Sequence, residues 1–381
     1  MTGSPVTIAR LADAVGGSVA GDGGVTVADV THDSREAGPG VLFVAVRGFT
    51  VDGHGFVGAA CRAGSPAVCV EDPAAAPGVP AIVVPDTRAV LGVLAAITHG
   101  RPSERIDVIG VTGTNGKTTV THLLEAIAIS AGRVPGLVGT VGARIAGSPV
   151  PVQRTTPEAT DFQRLLASMV DAGVDLAAVE VSSHAMALGR VDATRFRIAA
   201  FTNLSQDHLD FHGDMEDYYR AKASLFRPDR ADRAVIWIDG RAGRRLADET
   251  DLPVTTVGLG PDADVTAGGI VSTLAGSTLT ASGPNGSAEI GLRIAGDFNV
   301  ANALVAAACA DAIGIGWDSI AAGIGGVERV AGRFELVETG EDYTIVVDYA
   351  HTPDGIASVI ATTRRLAPGA HLLAVVGAGG D

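Results

Sequence analysis

The sequence predicts an α/β protein of two or three domains centred on a parallel sheet. Three observations carry this reading. From Ile106 onward, short apolar runs alternate with helical stretches. A glycine-rich turn, GTNGKTT at Gly113–Thr119, joins one such run to a helix. The chain of 381 residues is also longer than a single core usually fills.

Up to about Pro102, short strands (VLFVAV, PAVCV, AIVVP) mix with helical pieces such as RAVLGVLAAITHG. The segment RPSER, Arg101–Arg105, is polar, carries a proline and reads as a linker. The expected domains are therefore 1–103, a smaller N-terminal α/β domain, 104–331, the central sheet, and 332–381, the beginning of a third. In the central stretch DVIGVT leads into a helix from about Lys117 to Ala131. A second helix is expected to open at Pro157 after Thr156, an N-cap followed by proline. VDLAAVEVSS, RIAAFTNLS and RAVIWID read as buried strands and MEDYYRAKASLF as a helix, giving βαβ units with helices on both faces. From about Val265 to Ala295, Gly, Ser and Thr with period-two apolar residues indicate antiparallel hairpins, and FNVANALVAAACADAIG restores a helix. Beyond Gly332, RFELVE and YTIVVDY read as strands and GIASVIATTRRLA as a helix. HLLAVVGAGGD reads as a buried strand entering a Gly-rich turn. About fifty residues ending on a strand make a poor domain, so a further C-terminal portion is expected.

With 46% apolar and 19% charged residues, and no uncharged apolar stretch long enough for a bilayer, the chain reads as soluble without a membrane span. MTGSPVTIARLADAVGG lacks a signal peptide's basic start and unbroken apolar core, so a cytoplasmic location is expected. A formal charge of −15 argues against nucleic acid or an anionic membrane as partner, while a locally basic pocket for a small anion stays compatible. Only 4% of residues are aromatic, which gives no support to a base-stacking surface. Cys61, Cys69 and Cys309 show no C-x-x-C spacing and read as buried small apolar residues.

Strand, Gly-rich turn, Lys-Thr and helix is the context of a phosphate loop. The usual pattern G-x-x-x-x-G-K-[ST] requires glycine six places before Lys117, where Val111 stands. Even so, amides at the helix start would face an anion, Gly113 and Gly116 would allow close approach, and Lys117 would reach phosphates. The Thr118 hydroxyl would join a Mg²⁺ shell. Two more clusters end predicted strands: Glu180, Ser182, Ser183 and His184 in VEVSSH, and Asp207, His208, Asp210 and His212 in TNLSQDHLDFHGD. A parallel strand order would bring Glu180 and His208 towards Thr118 as metal ligands. Lys222 in YYRAKASLF reads, on its residues alone, as a helix-surface cation. Asp348, His351 and Asp354 follow a strand of the third unit, where a catalytic carboxylate stays an open reading with no partner in view.

In this order, GTNGKTT, TTP, EVSSHAMALGR, TNLSQDHLDFHGDMEDYYRAKASLF, GDFNVANALVAAA, RFE and DYAHTPD resemble the Mur ligases of peptidoglycan synthesis. HDSR with EVSSHA points to the tripeptide-synthetase branch, which adds a diamino acid to UDP-MurNAc-L-Ala-D-Glu. The resemblance runs from HDSR to the last residue and implies a three-domain architecture: an N-terminal UDP-substrate domain, a central P-loop ATPase domain and a Rossmann-like amino-acid domain. It implies an ATP-dependent ligase that activates a carboxylate as an acyl phosphate and lets an amine displace the phosphate. By the same resemblance, Gly113, Thr114, Asn115, Gly116, Lys117, Thr118 and Thr119 bind ATP phosphates, and Thr118, Glu180 and His208 hold Mg²⁺. Lys222 matches a carbamylated lysine that joins the metal site, and Lys117, Lys222 and His208 form the catalytic set. Asn302 falls near adenine, Arg333 near phosphate, and Asp348 and His351 at the nucleotide. Ser34 falls on the uridine side, and Thr155, Thr156, Ser182 and Arg190 hold the pyrophosphate and sugar-peptide. The family's short Asp/Asn-Pro-Arg motif, which selects the amino acid, does not occur before Asp381. meso-Diaminopimelate is favoured over L-lysine as the commoner choice, and a monomer is expected. Two alternatives stay open: another ligase of the superfamily, of folylpolyglutamate or MurNAc-pentapeptide type, and a nucleotide-binding fragment without full activity.

Overall fold

The computed structural model describes residues 5–337 and 339–377. They form two compact units with interleaved chain segments. The first holds the chain up to Ile106 with Thr156–Val174 and His184–Arg195. The second holds Asp107–Thr155, Asp175–Ser183 and the chain from Phe196 onward.

In the first unit the described residues form a five-stranded sheet in the order Ser18–Ala20, Ala81–Val83, Ala67–Val70, Val41–Val44, Asp29–Thr31. All neighbours are parallel except Ser18–Ala20. The central strands are apolar on both faces because each face is covered, as a parallel sheet requires. Leu42, Val44, Ala67 and Cys69 pack with Ile8, Leu11, Leu91 and Leu94 of two helices, Ile8–Ala14 and Thr87–Thr98. The alternate residues Phe43, Val68 and Val70 pack with Val57 and Ala60 of the helix Val57–Arg62. Asp86 starts Thr87–Thr98 by accepting from the backbone of Arg88 and Ala89, satisfying two amides that the helix leaves open.

The helix Ala159–Asp171 belongs to this unit. Arg164 Nε donates to Asp29 Oδ2 at 3.1 Å, and Gln163 Nε2 donates to the Thr194 hydroxyl at 2.9 Å. His32 Nδ1, beside Asp33 and Ser34, lies 3.1 Å from the Thr160 hydroxyl. The helix opens two residues later than the sequence predicted, and Glu158, not Thr156, holds the cap position, in an extended conformation. Arg190 explains the delay: Nη1 donates to the Thr156 carbonyl at 3.4 Å and Nη2 pairs with Glu158 at 3.0 Å, which holds the segment extended.

The second unit carries an eight-stranded sheet among the described residues, ordered Ser148–Val150, Gly142–Ile145, Pro135–Gly139, Leu176–Glu180, Asp107–Thr112, Ile198–Phe201, Ala234–Trp237, Val254–Val257. The last six are parallel and the first two form an antiparallel edge. Leu176–Glu180 and Ile198–Phe201 therefore flank Asp107–Thr112, so the two predicted clusters emerge on either side of the glycine-rich turn. The helix Lys117–Ser130 covers the sheet through Val120, Leu123, Leu124 and Ile127. Asp297–Ala312 is buried on nearly all sides because it lies within the core, where a helix apolar round most of its circumference belongs. Thr266–Thr273, Gly276–Gly283 and Gly286–Leu292 form the expected antiparallel sheet.

Glu335–Val337 and Ile345–Val347 pair antiparallel, and Pro353–Leu366 is the helix that follows, opened by the Thr352 cap. The predicted buried strand at HLLAVVG is absent: residues 371–377 carry no strand, and Leu373 and Val375 are fully or nearly fully exposed. An apolar run becomes a strand only where a neighbouring strand takes up its amides and carbonyls. The Gly-rich turn expected at 378–381 lies outside the described residues. Cys69 and Cys309 are buried as predicted, whereas Cys61 is half-buried. No helix among the described residues is long and apolar enough to cross a membrane.

Candidate functional site

Within the second unit a cavity of about 650 Å³ runs along the carboxyl edge of the parallel strands. Thr140, Glu180, Thr114, Thr202 and Trp237 line it, each at or just beyond the end of a different strand. Ligands collect at this edge of open α/β sheets because the strand ends and the helix starts leave polar backbone groups pointing outward.

Gly113 and Gly116 bracket the turn in backbone conformations that glycine tolerates best, at φ 147° and 90°. A Cβ on Gly113 would collide with Thr202 Oγ1, and one on Gly116 with Asn302 Oδ1. Gly116→Ala should therefore cost about 1–3 kcal/mol in backbone strain alone, read as a lowered midpoint in urea or thermal unfolding. Lys117 begins the helix, and its Nζ donates to the carbonyls of Gly113 and Thr114, both at 2.8 Å. Burial lowers the pKa of this amine, while Glu180 and Asp207 act in the opposite direction.

Glu180 is fully buried at the end of its strand. Both carboxylate oxygens accept from Thr140, Oε1 from the backbone amide at 2.9 Å and Oε2 from the hydroxyl at 3.0 Å. The Thr140 hydroxyl also lies 3.1 Å from that of Thr155. Thr118, one residue into the helix, receives a hydrogen bond from Arg333 Nη2 at 2.8 Å. His208 adopts a left-handed backbone at φ 52°, and its Nε2 lies 3.3 Å from Asp207 Oδ2. Burial lowers the His208 pKa, and Asp207 partly opposes this.

Lys222 is not a helix-surface cation. Only 1% of it is exposed, its Nζ donates to the Gly113 carbonyl at 2.9 Å, and it lies 4.4 Å from the Tyr218 ring centre. The Tyr218 hydroxyl is 3.2 Å from that of Thr114. Burial and the neighbouring Lys117 push the Lys222 amine well below its ordinary value, against the pull of Asp207. Two lysines thus converge on one turn of the backbone.

Of the predicted residues, Thr114 to Thr119, Thr155, Glu180, Ser182, His208, Asn302, Arg333, Asp348 and His351 line the cavity. Gly113 and Lys222 stand behind it as the loop's support. Asp348 accepts from the Phe334 amide at 2.8 Å and from the Ala350 amide at 2.7 Å, which shapes the turn carrying His351. Ser34, Thr156 and Arg190 belong to the first unit, where Arg190 meets Thr156. Sequence reasoning missed Thr140, Thr202 and Asn203, since each works through a partner far along the chain.

The descriptions that match are Mur ligase family, catalytic domain, at residues 26–99, Mur ligase middle domain at 111–310, and Mur ligase, glutamate ligase domain at 332–381. The chain belongs to the Mur ligase family. This Mur ligase is 44% identical over 386 residues to a UDP-N-acetylmuramoyl-L-alanyl-D-glutamate--2,6-diaminopimelate ligase of Streptomyces coelicolor, covering 99% of this chain and 76% of the relative. It is 42% identical over 356 residues to the protein of the same description in Geobacillus kaustophilus, covering 92% of this chain and 72% of the relative. A solved structure of a protein so described superposes with a TM-score of 0.81 at 27% identity, over 99% of this chain and 78% of that one. The three-domain α/β architecture with a central parallel sheet is that of the family.

Proposed function

We propose that this Mur ligase uses ATP to join 2,6-diaminopimelate to UDP-MurNAc-L-Ala-D-Glu. The observation that carries the reading is the likeness, at 42–44% identity along nearly all of this chain, to relatives described as ligases for that pair of substrates. It favours the diaminopimelate branch over the folylpolyglutamate and pentapeptide alternatives. We assign 1–103 to the UDP-substrate, together with 156–174 and 184–195, which fold with it, the rest of 104–331 to ATP and 332–381 to the amino-acid domain.

The reaction has to bring a carboxylate to a triphosphate, two anions that repel. In the proposed mechanism the Gly116–Thr119 amides and Lys117 draw the phosphates to the helix start, where the dipole adds about half a positive charge, while the Thr114 and Asn115 amides stay bound to Asn203 and hold the turn in shape. The carboxylate oxygen attacks the terminal phosphorus, its bond to ADP breaks, and an acyl phosphate results. The amine of the second substrate then attacks the acyl carbon, loses a proton and expels inorganic phosphate. Arg333, already within reach of Thr118, would offset charge on the transferring group. Asn302, Asp348 and His351 would border the nucleotide; Ser34, Thr155, Thr156, Ser182 and Arg190 would hold the UDP-sugar-peptide.

Mg²⁺ fits the donor set in part. The Glu180 carboxylate and the Thr118 hydroxyl are hard oxygen donors on one cavity, and His208 adds an imidazole. No three His, Cys, Asp or Glu side chains gather into a ready-made cage among the described residues, which suits an ion that keeps waters and substrate phosphates as ligands. When bound, the ion would supply positive charge to the phosphates. Thr140 would keep both Glu180 oxygens aimed at it.

ADP release should rise on adding UDP-MurNAc-L-Ala-D-Glu with diaminopimelate and stay at background with dihydrofolate and glutamate. Release with the folate pair, and none with the UDP pair, would reject the assignment in favour of the folylpolyglutamate type.

A further inference from the structure

We infer that Asn203 is a positioning residue that holds the phosphate loop in shape from the neighbouring strand. The inference rests on reading Gly113–Thr119 as the phosphate-binding loop. Val111 takes the place of the first glycine in the common pattern because it is still strand: it pairs with Glu180 on one side and Ala200 on the other. The turn itself is only Gly113–Gly116, two flexible glycines around Thr114 and Asn115. A segment so rich in glycine does not choose the direction of its amides unaided.

The segment that follows Ile198–Phe201 makes that choice. The Thr114 amide donates to the Asn203 carbonyl at 2.9 Å. The Asn115 amide donates to Asn203 Oδ1 at 2.9 Å, and Asn203 Nδ2 donates back to the Asn115 carbonyl at 3.1 Å. That carbonyl also accepts from Thr202 Oγ1 at 2.6 Å. The side-chain amide therefore pairs with both polar groups of Asn115 as an adjacent strand would, at a place where the sheet has ended. Ser205 closes the brace, its amide donating to Thr114 Oγ1 at 3.0 Å. With two successive peptide groups fixed, the loop meets an anion without first having to be ordered, and this preorganisation is what Asn203 contributes.

The test is binding of a fluorescent methylanthraniloyl-ADP to the 381-residue chain, with inorganic tripolyphosphate and adenosine as competitors. Asn203→Ala should weaken ADP and tripolyphosphate about tenfold, equivalent to about 1.4 kcal/mol, with adenosine and the melting midpoint unchanged. Asn203→Ser, able to make one of the two bonds, should fall between and covers the case in which the alanine variant does not fold. Wild-type affinity for tripolyphosphate in both variants overturns the inference. So does an equal loss for adenosine and tripolyphosphate, which would mark a general structural role. Lys117→Ala in the same titration separates the two readings. If it binds tripolyphosphate like the wild type, the phosphate-loop assignment fails; if it is weakened while the Asn203 variants are not, only the present inference fails.

Discussion

Lys117→Ala should reduce substrate-dependent ADP release to below about one hundredth of the wild-type rate, a loss of roughly 3 kcal/mol or more in transition-state stabilisation. The amine has two tasks that alanine cannot perform. It binds the turn to itself through the carbonyls of Gly113 and Thr114, and it places a positive charge where phosphate charge has to accumulate. Lys117→Arg should rescue little, because the planar guanidinium cannot occupy the point between those two carbonyls. The assay is steady-state ADP release, with methylanthraniloyl-ADP binding to separate affinity from turnover. A Lys117→Ala enzyme working near the wild-type rate would remove the loop from the mechanism.

Lys222→Ala should lose activity to a similar degree, for a different reason. The resemblance to carbamylating ligases requires a neutral amine that attacks carbon dioxide, forming an N–C bond and releasing a proton. Burial and Lys117 hold the amine well below its ordinary pKa, which favours that form. The sign follows from that depression. Neutral amine persists at lower pH than for a free lysine, and the carbamate is lost as pH falls through the depressed value. Activity should therefore decline on the acid side and recover partly with added bicarbonate. In Lys222→Ala, acetate or propionate should restore some turnover by supplying the missing carboxylate. Full activity in Lys222→Ala, or a wild-type protein lacking the added mass of CO₂ under bicarbonate, would leave the lysine as a plain buried cation.

Much of the site was legible because its chemistry is local in sequence. Lys117 and Thr118 follow their turn directly, and Glu180 and His208 sit at or beyond strand ends that flank it. What could not be read depended on distant partners. Lys222 looks like a surface residue in YYRAKASLF, and only the approach of Gly113, 109 residues earlier, shows it buried. Thr140 gains its meaning from Glu180, forty residues on. Thr156-Pro157 has the letters of a helix start, but Arg190 holds that segment extended. HLLAVVG has the letters of a strand without a neighbour to pair with.

The make-up of the first unit bears on how the polypeptide is synthesised. Its sheet is finished once Val83 is translated, but the helix bearing Arg164 and the turn bearing Thr194 come much later. A nascent chain must therefore begin work on the second body before the first can close, and must wait for Arg195 to leave the ribosome. At about 5–20 residues per second this delay is on the order of ten seconds. Until Arg164 emerges, Asp29 can pair with His99 but lacks its guanidinium partner.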